Sequence, residues 1–310
     1  MNITTLSLRD LEYLVAVDET HHFGKAATIT RVSQPALSGQ IKKVEEFLQV
    51  RLFERSNRSV VTTPLGELIV AQARIVLQEA RKITDLASNN ASPLSGPLRL
   101  GAIATLGPYY LPHVISPLRK KFVKLELHFR EGLTEGLIAE LKSGSLDAVL
   151  ASPTFTDNSL LVIPLFVEPF LLAAPKGHPL LAKEHFRSSD LRASEMVLLE
   201  DGHCLKDQTL ESCPTNRREH SRQFHATSLE TLRHLVASGL GYTLMPLLAV
   251  KDDPKLRNLV SYRSFDGKTV GREIALVCRK QFPRMNDLQI LANFLREIRP
   301  EGMLLVETNR

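Results

Sequence analysis

Tryptophan is absent from this 310-residue chain, and cysteine occurs only three times. So few cysteines, and an odd number of them, exclude a disulfide-stapled secreted scaffold, so any special role of cysteine must be local. The longest uncharged run, residues 100–118, contains three prolines and two glycines, which excludes a membrane-spanning helix. Arg9, Asp10 and Glu12 interrupt the apolar N-terminal stretch, which argues against a signal peptide. We therefore expect a cytoplasmic protein without a membrane anchor.

Basic charge is concentrated in one short segment. The chain as a whole carries 39 Lys and Arg against 34 Asp and Glu, a modest net charge of +5. Residues 21–66 alone hold seven basic against three acidic side chains, whereas residues 1–20 are net acidic. The basic segment is therefore the candidate for contact with a polyanion.

The same segment has the pattern of a helix-turn-helix with a wing. Apolar spacing predicts helices over 8–20 and 23–30, and Ser33 is a typical N-cap for a third helix that begins Gln34-Pro35. The buried stripe of the third helix is predicted to be Leu37, Ile41, Val44 and Leu48, and its opposite face is small, polar and basic. Segments 52–55 and 60–62 then flank a turn with arginines at its tip, which indicates a β-hairpin wing.

Thr63 and Pro64 open a long helix that is predicted to extend to about residue 88. Apolar residues recur in it at heptad spacing, which favours a dimerisation helix, although packing against its own domain would give a similar pattern. The heptad positions are Ile69, Ala73, Val76, Ala80, Ile83 and Ala87. A polar stretch at 88–97 marks a domain boundary, and beyond it strands and helices alternate, which predicts a parallel α/β sheet.

The N-terminal motifs, over roughly the first 65 residues, resemble the LysR-type transcriptional regulators. They are Leu11-Glu12-Tyr13-Leu14, Phe23-Gly24-Lys25-Ala26-Ala27, Val32-Ser33-Gln34-Pro35-Ala36-Leu37-Ser38 and Leu52-Phe53-Glu54-Arg55. The resemblance implies an α/β fold class: a winged helix-turn-helix, a linker helix, and two α/β subdomains of periplasmic-binding-protein type. The expected limits are 1–62 for the DNA-binding domain, 63–90 for the linker and 91–310 for the regulatory domain. Within the last, subdomain I would comprise 97–167 and 271–310, and subdomain II 168–270.

A second group of motifs, at 199–208, Cys213 and 226–233, is similar to the hydrogen-peroxide-sensing branch of that family. This resemblance implies that Cys204 is the peroxide-reactive thiolate, that Cys213 is the resolving thiol, and that the two form a reversible disulfide. It also implies a peroxide pocket lined by Thr105, Thr134, His203, Asp207 and Arg272. Lys206 stands where other members have arginine, which keeps the positive charge but loses the bidentate geometry.

The spacing of the two cysteines suggests how oxidation acts. If residues 205–212 are helical, Cys204 and Cys213 lie on opposite faces and roughly 13 Å apart along the axis. A disulfide needs Cα atoms within about 7 Å, so oxidation would have to melt this helix. His203, Lys206 and the helix N-terminus are candidates for stabilising the Cys204 thiolate. Cys278 alternates within an apolar strand, which is typical of an inert buried thiol.

The predicted function is peroxide-sensing regulation of antioxidant genes, without enzymatic activity, cofactor or metal. Expected partners are promoter DNA, hydrogen peroxide, further copies in a dimer or tetramer, RNA polymerase, and a glutaredoxin- or thioredoxin-type reductant. The predicted DNA contacts are Arg9, Gln34, Pro35, Ser38, Lys42, Arg55 and Arg58. A metabolite-responsive regulator and a thiol peroxidase are the open alternatives; a metal site of His203, Cys204, Cys213 and His220 lacks compact zinc spacing.

Overall fold

The structure is a computed structural model, and it describes residues 6–55, 60–88, 93–153, 157–213, 225–250, 256, 258–267 and 269–306. The chain divides into two compact units, 1–90 with 143–145, and 91–142 with 146–310. No helix in the described ranges combines the length and apolar character needed to cross a membrane.

The first unit begins with three helices, α1 (Leu8–Thr20), α2 (Phe23–Ile29) and α3 (Gln34–Leu48). A hairpin of β1 (Phe53–Arg55) and β2 (Val60–Thr62) follows, and then α4 (Pro64–Ser88). Ser33 caps α3 through the amide of Ala36, and Thr63 caps α4 through the amide of Gly66. The predicted winged helix-turn-helix is confirmed.

The heptad prediction for α4 needs correction. Ala73, one of its positions, is buried in the unit's own core together with Val70 and Leu77. Val76 and Ile83, two other heptad positions, are exposed together with Leu65, Leu68 and Ile75. The predicted heptad positions are therefore divided between the core and the surface, because core-facing and exposed apolar residues both repeat at helical spacing.

The second unit is built on a seven-stranded sheet. Its elements are β3 (Gly96–Ile103), α5 (Gly107–Lys121), β4 (Leu125–Gly132), α6 (Thr134–Lys142), β5 (Ala148–Ala151), β6 (Leu160–Pro175), β7 (Leu198–Leu199), α7 (Cys204–Glu211), β8 (His225–Ala226), α8 (Leu229–Ala237), β9 (Thr243–Pro246), β10 (Val260–Arg263), β11 (Gly271–Arg279) and α9 (Met285–Glu297). The strand order is β10-β6-β11-β5-β3-β4, with β9 also paired to β6, while β7 and β8 form a separate pair.

The sheet is mixed and not parallel throughout as predicted. Strands β4 and β5 run parallel to β3 on either side of it, whereas β11 runs antiparallel to both β5 and β6. Strand β6 begins at Leu160 and runs past 168, the expected limit between the subdomains, so one strand passes through both halves of the unit. Local pattern shows where a strand lies but not which neighbour it pairs with.

Strand β6 contributes to two hydrophobic cores, one on each side of Glu168. Core one contains Phe166 and the buried faces of β3, β5, α5, α6 and α9. Core two contains Phe170 and the buried residues of β7, β9 and α8. Strand β6 therefore leaves one core and enters the next within four residues, at Glu168.

Candidate functional site

Three small polar residues lie at one edge of the sheet. Thr105 follows β3, Thr134 begins α6 just after β4, and Ser152 follows β5. Because β3, β4 and β5 are parallel, their carboxyl ends share one edge, which is where α/β sheets place ligands. Thr105 and Ser152 are buried, and Thr134 is half-buried.

Helix α7 lies across this edge. Just before it, Gly202 adopts a φ of +92°, and a Cβ there would lie 3.2 Å from the Leu133 side chain at the end of β4. Further along, the Gln208 side chain donates a hydrogen bond to Ser152 Oγ over 2.7 Å, beyond the end of β5. Cys204 lies between these two contacts in the sequence, so α7 carries it at the same edge of the sheet as Thr105, Thr134 and Ser152.

The two predicted switch cysteines are both buried, but in different cores. Cys204 is the first residue of α7 and packs in core one. Cys213 comes two residues after α7 ends and packs in core two, close to Tyr242. Burial is the main cause that raises the pKa of Tyr242 to about 12. Neither cysteine is in a disulfide.

The predicted helical separation of the cysteines is confirmed. Cys204 and Glu211 are seven helical steps apart, about 10 Å along the axis, and Cys213 lies beyond that. This spacing exceeds the span of a disulfide. A bond between the two sulfurs therefore requires α7 to unwind and at least one cysteine to leave its core.

The ionisable side chains next to Cys204 in the sequence are not a cluster of unpaired cations. Burial lowers the pKa of His203, against the opposing effects of Glu200 and of a hydrogen bond to the Thr227 backbone, so the imidazole is neutral at pH 7. The Lys206 ammonium pairs with Asp201 at 2.6 Å, and this contact lowers the pKa of that exposed carboxyl. Asp207 is exposed. Burial of His203 therefore disfavours a positive charge beside Cys204, while the N-terminus of α7 lies at Cys204 as predicted.

Arg272 is held in a buried network at the same edge. Its Nε donates to Glu168 Oε2 at 2.9 Å, Nη1 to Thr105 Oγ1 at 2.8 Å, and Nη2 to the Thr105 carbonyl at 2.8 Å. Glu168 Oε1 accepts from the Leu248 amide at 3.0 Å, and the side chains of Glu168 and Arg272 are both fully buried. The predicted neighbours Thr105 and Arg272 are therefore in direct contact.

Three residues of this site were not predicted from the sequence: Glu168, Ser152 and Gln208. Glu168 is the one carboxylate within the apolar segment 160–175, which is a signal in itself, because such a charge needs a buried partner. Gln208 is one helical turn from Cys204, and its buried Oε1 has no hydrogen-bond donor among the described residues.

Cys278 lies on β11, as its alternation predicted, and is fully buried. Its sulfur lies 3.9 Å from Met285 Sδ, and burial raises its pKa to about 11. A thiol that stays protonated and inaccessible reacts slowly with oxidants. His220 falls outside the described residues, and the described ranges contain no group of three or more His, Cys, Asp or Glu arranged to hold a metal ion.

Helix α3 presents the predicted nucleic-acid face. Gln34, Pro35 and Lys42 are exposed and Ser38 is half-buried, while Leu37, Ile41 and Val44 of the predicted stripe are buried below them. Arg9 is exposed and its guanidinium lies 5.9 Å from the centre of the Tyr13 ring. The side chain of Arg55 and all of Arg58 lie outside the described residues.

Two carboxylates, Asp10, which is buried, and Glu45, which is half-buried, fix the orientation of α3. Asp10 accepts a hydrogen bond from the Gln40 side chain at 2.8 Å, which ties α3 to α1. Glu45 accepts from the amides of Leu52 and Phe53, which ties α3 to the start of the hairpin. The exposed face of α3 is therefore held on a rigid support.

A winged helix-turn-helix followed by a two-core α/β unit defines a ligand- or signal-responsive DNA-binding regulator. Residues 8–67 match the bacterial regulatory helix-turn-helix model of the lysR family, and residues 91–299 match the LysR substrate binding domain. The chain belongs to the LysR family of transcriptional regulators. It is a DNA-binding regulator of transcription and not an enzyme, so the thiol peroxidase alternative is set aside.

Individual relatives are similar over almost the whole chain. The hydrogen peroxide-inducible genes activator of Dickeya chrysanthemi is 43% identical over 292 residues, covering 94% of this chain and 95% of the relative. A full-length OxyR variant from Pseudomonas aeruginosa is 40% identical with a TM-score of 0.73, covering 94% of this chain and 97% of the other. A hydrogen-peroxide-bound OxyR variant from Corynebacterium glutamicum is 32% identical with a TM-score of 0.62, covering 94% of each chain.

Proposed function

We propose that this regulator senses hydrogen peroxide through Cys204 and switches by forming a Cys204–Cys213 disulfide, thereby controlling antioxidant genes. The observation that carries the proposal is the placement of one cysteine in each core at the two ends of α7. No disulfide can form while α7 is intact and holds the two cysteines in separate cores, so oxidation would be coupled to unwinding of α7. The naming of the relatives for peroxide supports the choice of oxidant.

The chemistry requires two steps. The Cys204 thiolate attacks one peroxide oxygen, an S–O bond forms as the O–O bond breaks, and hydroxide leaves and is protonated to water. Sulfur is thereby oxidised by two electrons and peroxide is reduced. The Cys213 thiolate then attacks the sulfenic sulfur, an S–S bond forms, and the sulfenic oxygen leaves as a second hydroxide that is protonated to water.

The residues at the carboxyl edge of the sheet suit the first step. The N-terminus of α7 favours negative charge on Cys204, and neutral His203 can orient a bound peroxide by hydrogen bonding. Thr105, Thr134 and Arg272 supply donors for the peroxide oxygens. Lys206 and Asp207 complete the proposed pocket on α7. A thiol–disulfide reductant of the glutaredoxin or thioredoxin type would restore the dithiol.

The exposed face of α3 supports binding to promoter DNA. Gln34, Pro35 and Ser38 would enter the major groove, Lys42 and Arg9 would contact phosphates, and the wing arginines Arg55 and Arg58 would reach toward the minor groove. In this proposal residues 1–62 read DNA, residues 63–90 dimerise, and residues 91–310 sense, with subdomain I at 97–167 and 271–310 and subdomain II at 168–270.

The exposed apolar stripe of α4 supports assembly into dimers, and two dimers would form the tetramer that binds paired half-sites and RNA polymerase. Leu68 and Ile83 are each 70% exposed, which is costly for an isolated helix. Replacing both with glutamate should give monomers in sedimentation velocity. Val123→Glu, a change at an 84% exposed residue of the other unit, is the control and should leave the oligomer unchanged.

Intact mass after one equivalent of peroxide tests the switch. The expected product has lost two hydrogens, maps to Cys204–Cys213, and gives an altered DNA footprint. A Cys204→Ser variant should show neither change. If that variant still switches its footprint in peroxide, the mechanism is wrong; if a small organic ligand shifts the wild-type footprint and peroxide does not, the chain is a metabolite-responsive regulator.

A further inference from the structure

We infer that Glu168 is a positioning residue for peroxide reduction: it holds Arg272 so that Arg272 and Thr105 present a fixed pair of hydrogen-bond donors beside Cys204. The inference rests on the proposed peroxide function. The proposed role of Glu168 requires no contact with either cysteine. It acts through Arg272, its direct cross-strand partner on β11.

The network leaves little freedom to the Arg272 guanidinium. Two of its nitrogens, Nε and Nη2, each lie 2.9 Å from Glu168 Oε2, and Nη2 also donates to the Thr105 carbonyl. One of the two Nη1 N–H groups donates a hydrogen bond to Thr105 Oγ1. Since guanidinium has five N–H groups in a rigid plane, one Nη1 N–H remains with no protein acceptor among the described residues.

The same contact sets the direction of the Thr105 hydroxyl. Thr105 Oγ1 accepts from Arg272, so its own hydrogen must point to another acceptor. The Thr105 O–H and the remaining Arg272 N–H thus form two donors at the carboxyl end of β3, on the edge of the sheet that also carries Cys204 on α7. In the oxidation of the Cys204 thiolate to a sulfenic acid, these donors would stabilise the hydroxide that leaves as the O–O bond breaks.

Glu168 is itself fixed from both sides. Its other oxygen accepts from the Leu248 amide, and its side chain is fully buried. At the neighbouring position 271 a Cβ would lie 2.5 Å from the Glu168 carbonyl oxygen, so only glycine allows β11 to approach β6 this closely. Because both carboxylate oxygens accept N–H groups, replacing one with an amide nitrogen sets donor against donor and releases either Leu248 or Arg272.

The test compares two reagents at Cys204 in the full-length reduced protein. Rates of modification by hydrogen peroxide and by iodoacetamide are followed by mass spectrometry of the Cys204 peptide. Iodoacetamide needs the thiolate and access to it but releases no hydroxide, so the ratio of the two rates isolates leaving-group stabilisation. Asp147→Asn is the matched control, since Asp147 is a buried carboxylate paired with Arg99 before β5, at the opposite edge of the sheet.

Glu168→Gln should lower the peroxide rate at least about ten-fold and change the iodoacetamide rate less than about two-fold. Glu168→Asp keeps the charge on a shorter arm and should lower the ratio by a smaller factor, which provides the measurement if the glutamine variant does not fold. Asp147→Asn should keep the wild-type ratio. The inference is overturned if the folded Glu168 variants keep that ratio, or if both rates fall together.

A comparison with N-acetylcysteine separates this inference from the proposed function. If wild-type Cys204 reacts with peroxide no faster than the free thiol, the proposed function fails, and with it any role for Glu168 in that reaction. If wild-type Cys204 is fast and Glu168→Gln is equally fast, only the positioning role fails.

Discussion

The Ser152→Ala substitution should make the switch disulfide harder to reduce. Ser152 Oγ is the acceptor for the Gln208 side-chain amide, and this 2.7 Å bond joins α7 to the end of β5. Gln208 Oε1 already lacks a donor among the described residues, so removing the serine hydroxyl leaves the carboxamide without either contact. The penalty falls on the reduced state, because in the proposed switch oxidation unwinds α7 and returns Gln208 to water.

The magnitude follows from the cost of an unmade hydrogen bond at a buried site, about 1–3 kcal/mol. For a two-electron couple about 1.4 kcal/mol corresponds to 30 mV, so the midpoint potential should become more negative by about 20–65 mV. Equilibration in glutathione or dithiothreitol buffers of set ratio, followed by acid quenching and mass analysis of the Cys204–Cys213 disulfide, measures this potential.

Ser238→Ala is the matched control for this measurement. Ser238 donates a 2.9 Å hydrogen bond to the carbonyl of His234 on the exposed side of α8, so the same atoms are removed away from α7. Its potential should stay within about 10 mV of wild type. A Ser152→Ala potential that is equal to the control's, or more positive, would refute the idea that α7 leaves the sheet edge on oxidation.

Other changes give separable outcomes. Cys213→Ser should arrest oxidation at a Cys204 sulfenic acid that dimedone traps, whereas Cys204→Ser should trap nothing. Burial raises the Cys278 pKa from 9.0 to about 11, so its contribution to stability is complete below pH 9 and is lost as the pH rises to 11; Cys278→Ala should remove this alkaline decrease in Tm while leaving the peroxide response intact. Lys42→Ala should weaken binding to all DNA sequences alike and reduce the salt slope by about one, whereas Gln34→Ala should cost about 1–3 kcal/mol on specific sites only, both measured by fluorescence anisotropy.

Local sequence signals were sufficient for the helices of the first unit, including the cap and the buried stripe of α3. The cap at Ser33, the Pro35 that follows it and the stripe Leu37, Ile41 and Val44 each act within one or two turns, so the structure keeps them. The run 134–142 likewise forms the helix that its pattern predicts.

Local sequence signals could not predict which strands pair or which side chains meet when they are far apart in the chain. That β11 runs antiparallel between β5 and β6 depends on residues more than 100 positions apart, and so does the contact of Glu168 with Arg272. The lowered pKa of His203 was out of reach for the same reason, since it is caused by burial that only the folded chain creates. The sequence indicates that Glu168, a single carboxylate in an apolar strand, needs a buried partner, but it does not show that this partner is Arg272.

In the proposed switch, the two cysteines start in separate cores, so the oxidant must supply free energy beyond what closing the loop provides. Closing the loop from Cys204 to Cys213 constrains the chain by roughly 2.5 kcal/mol in the entropy model, whereas inverting a 1:99 population takes about 5.5 kcal/mol. The remaining 3 kcal/mol corresponds to about 65 mV of driving potential. Every contact that holds α7 on the sheet edge increases the driving potential that oxidation must supply. The hydrogen bond from Gln208 to Ser152 is one such contact. In this proposal the reduction potential of the disulfide therefore depends on how tightly α7 packs against the sheet as well as on the two thiols.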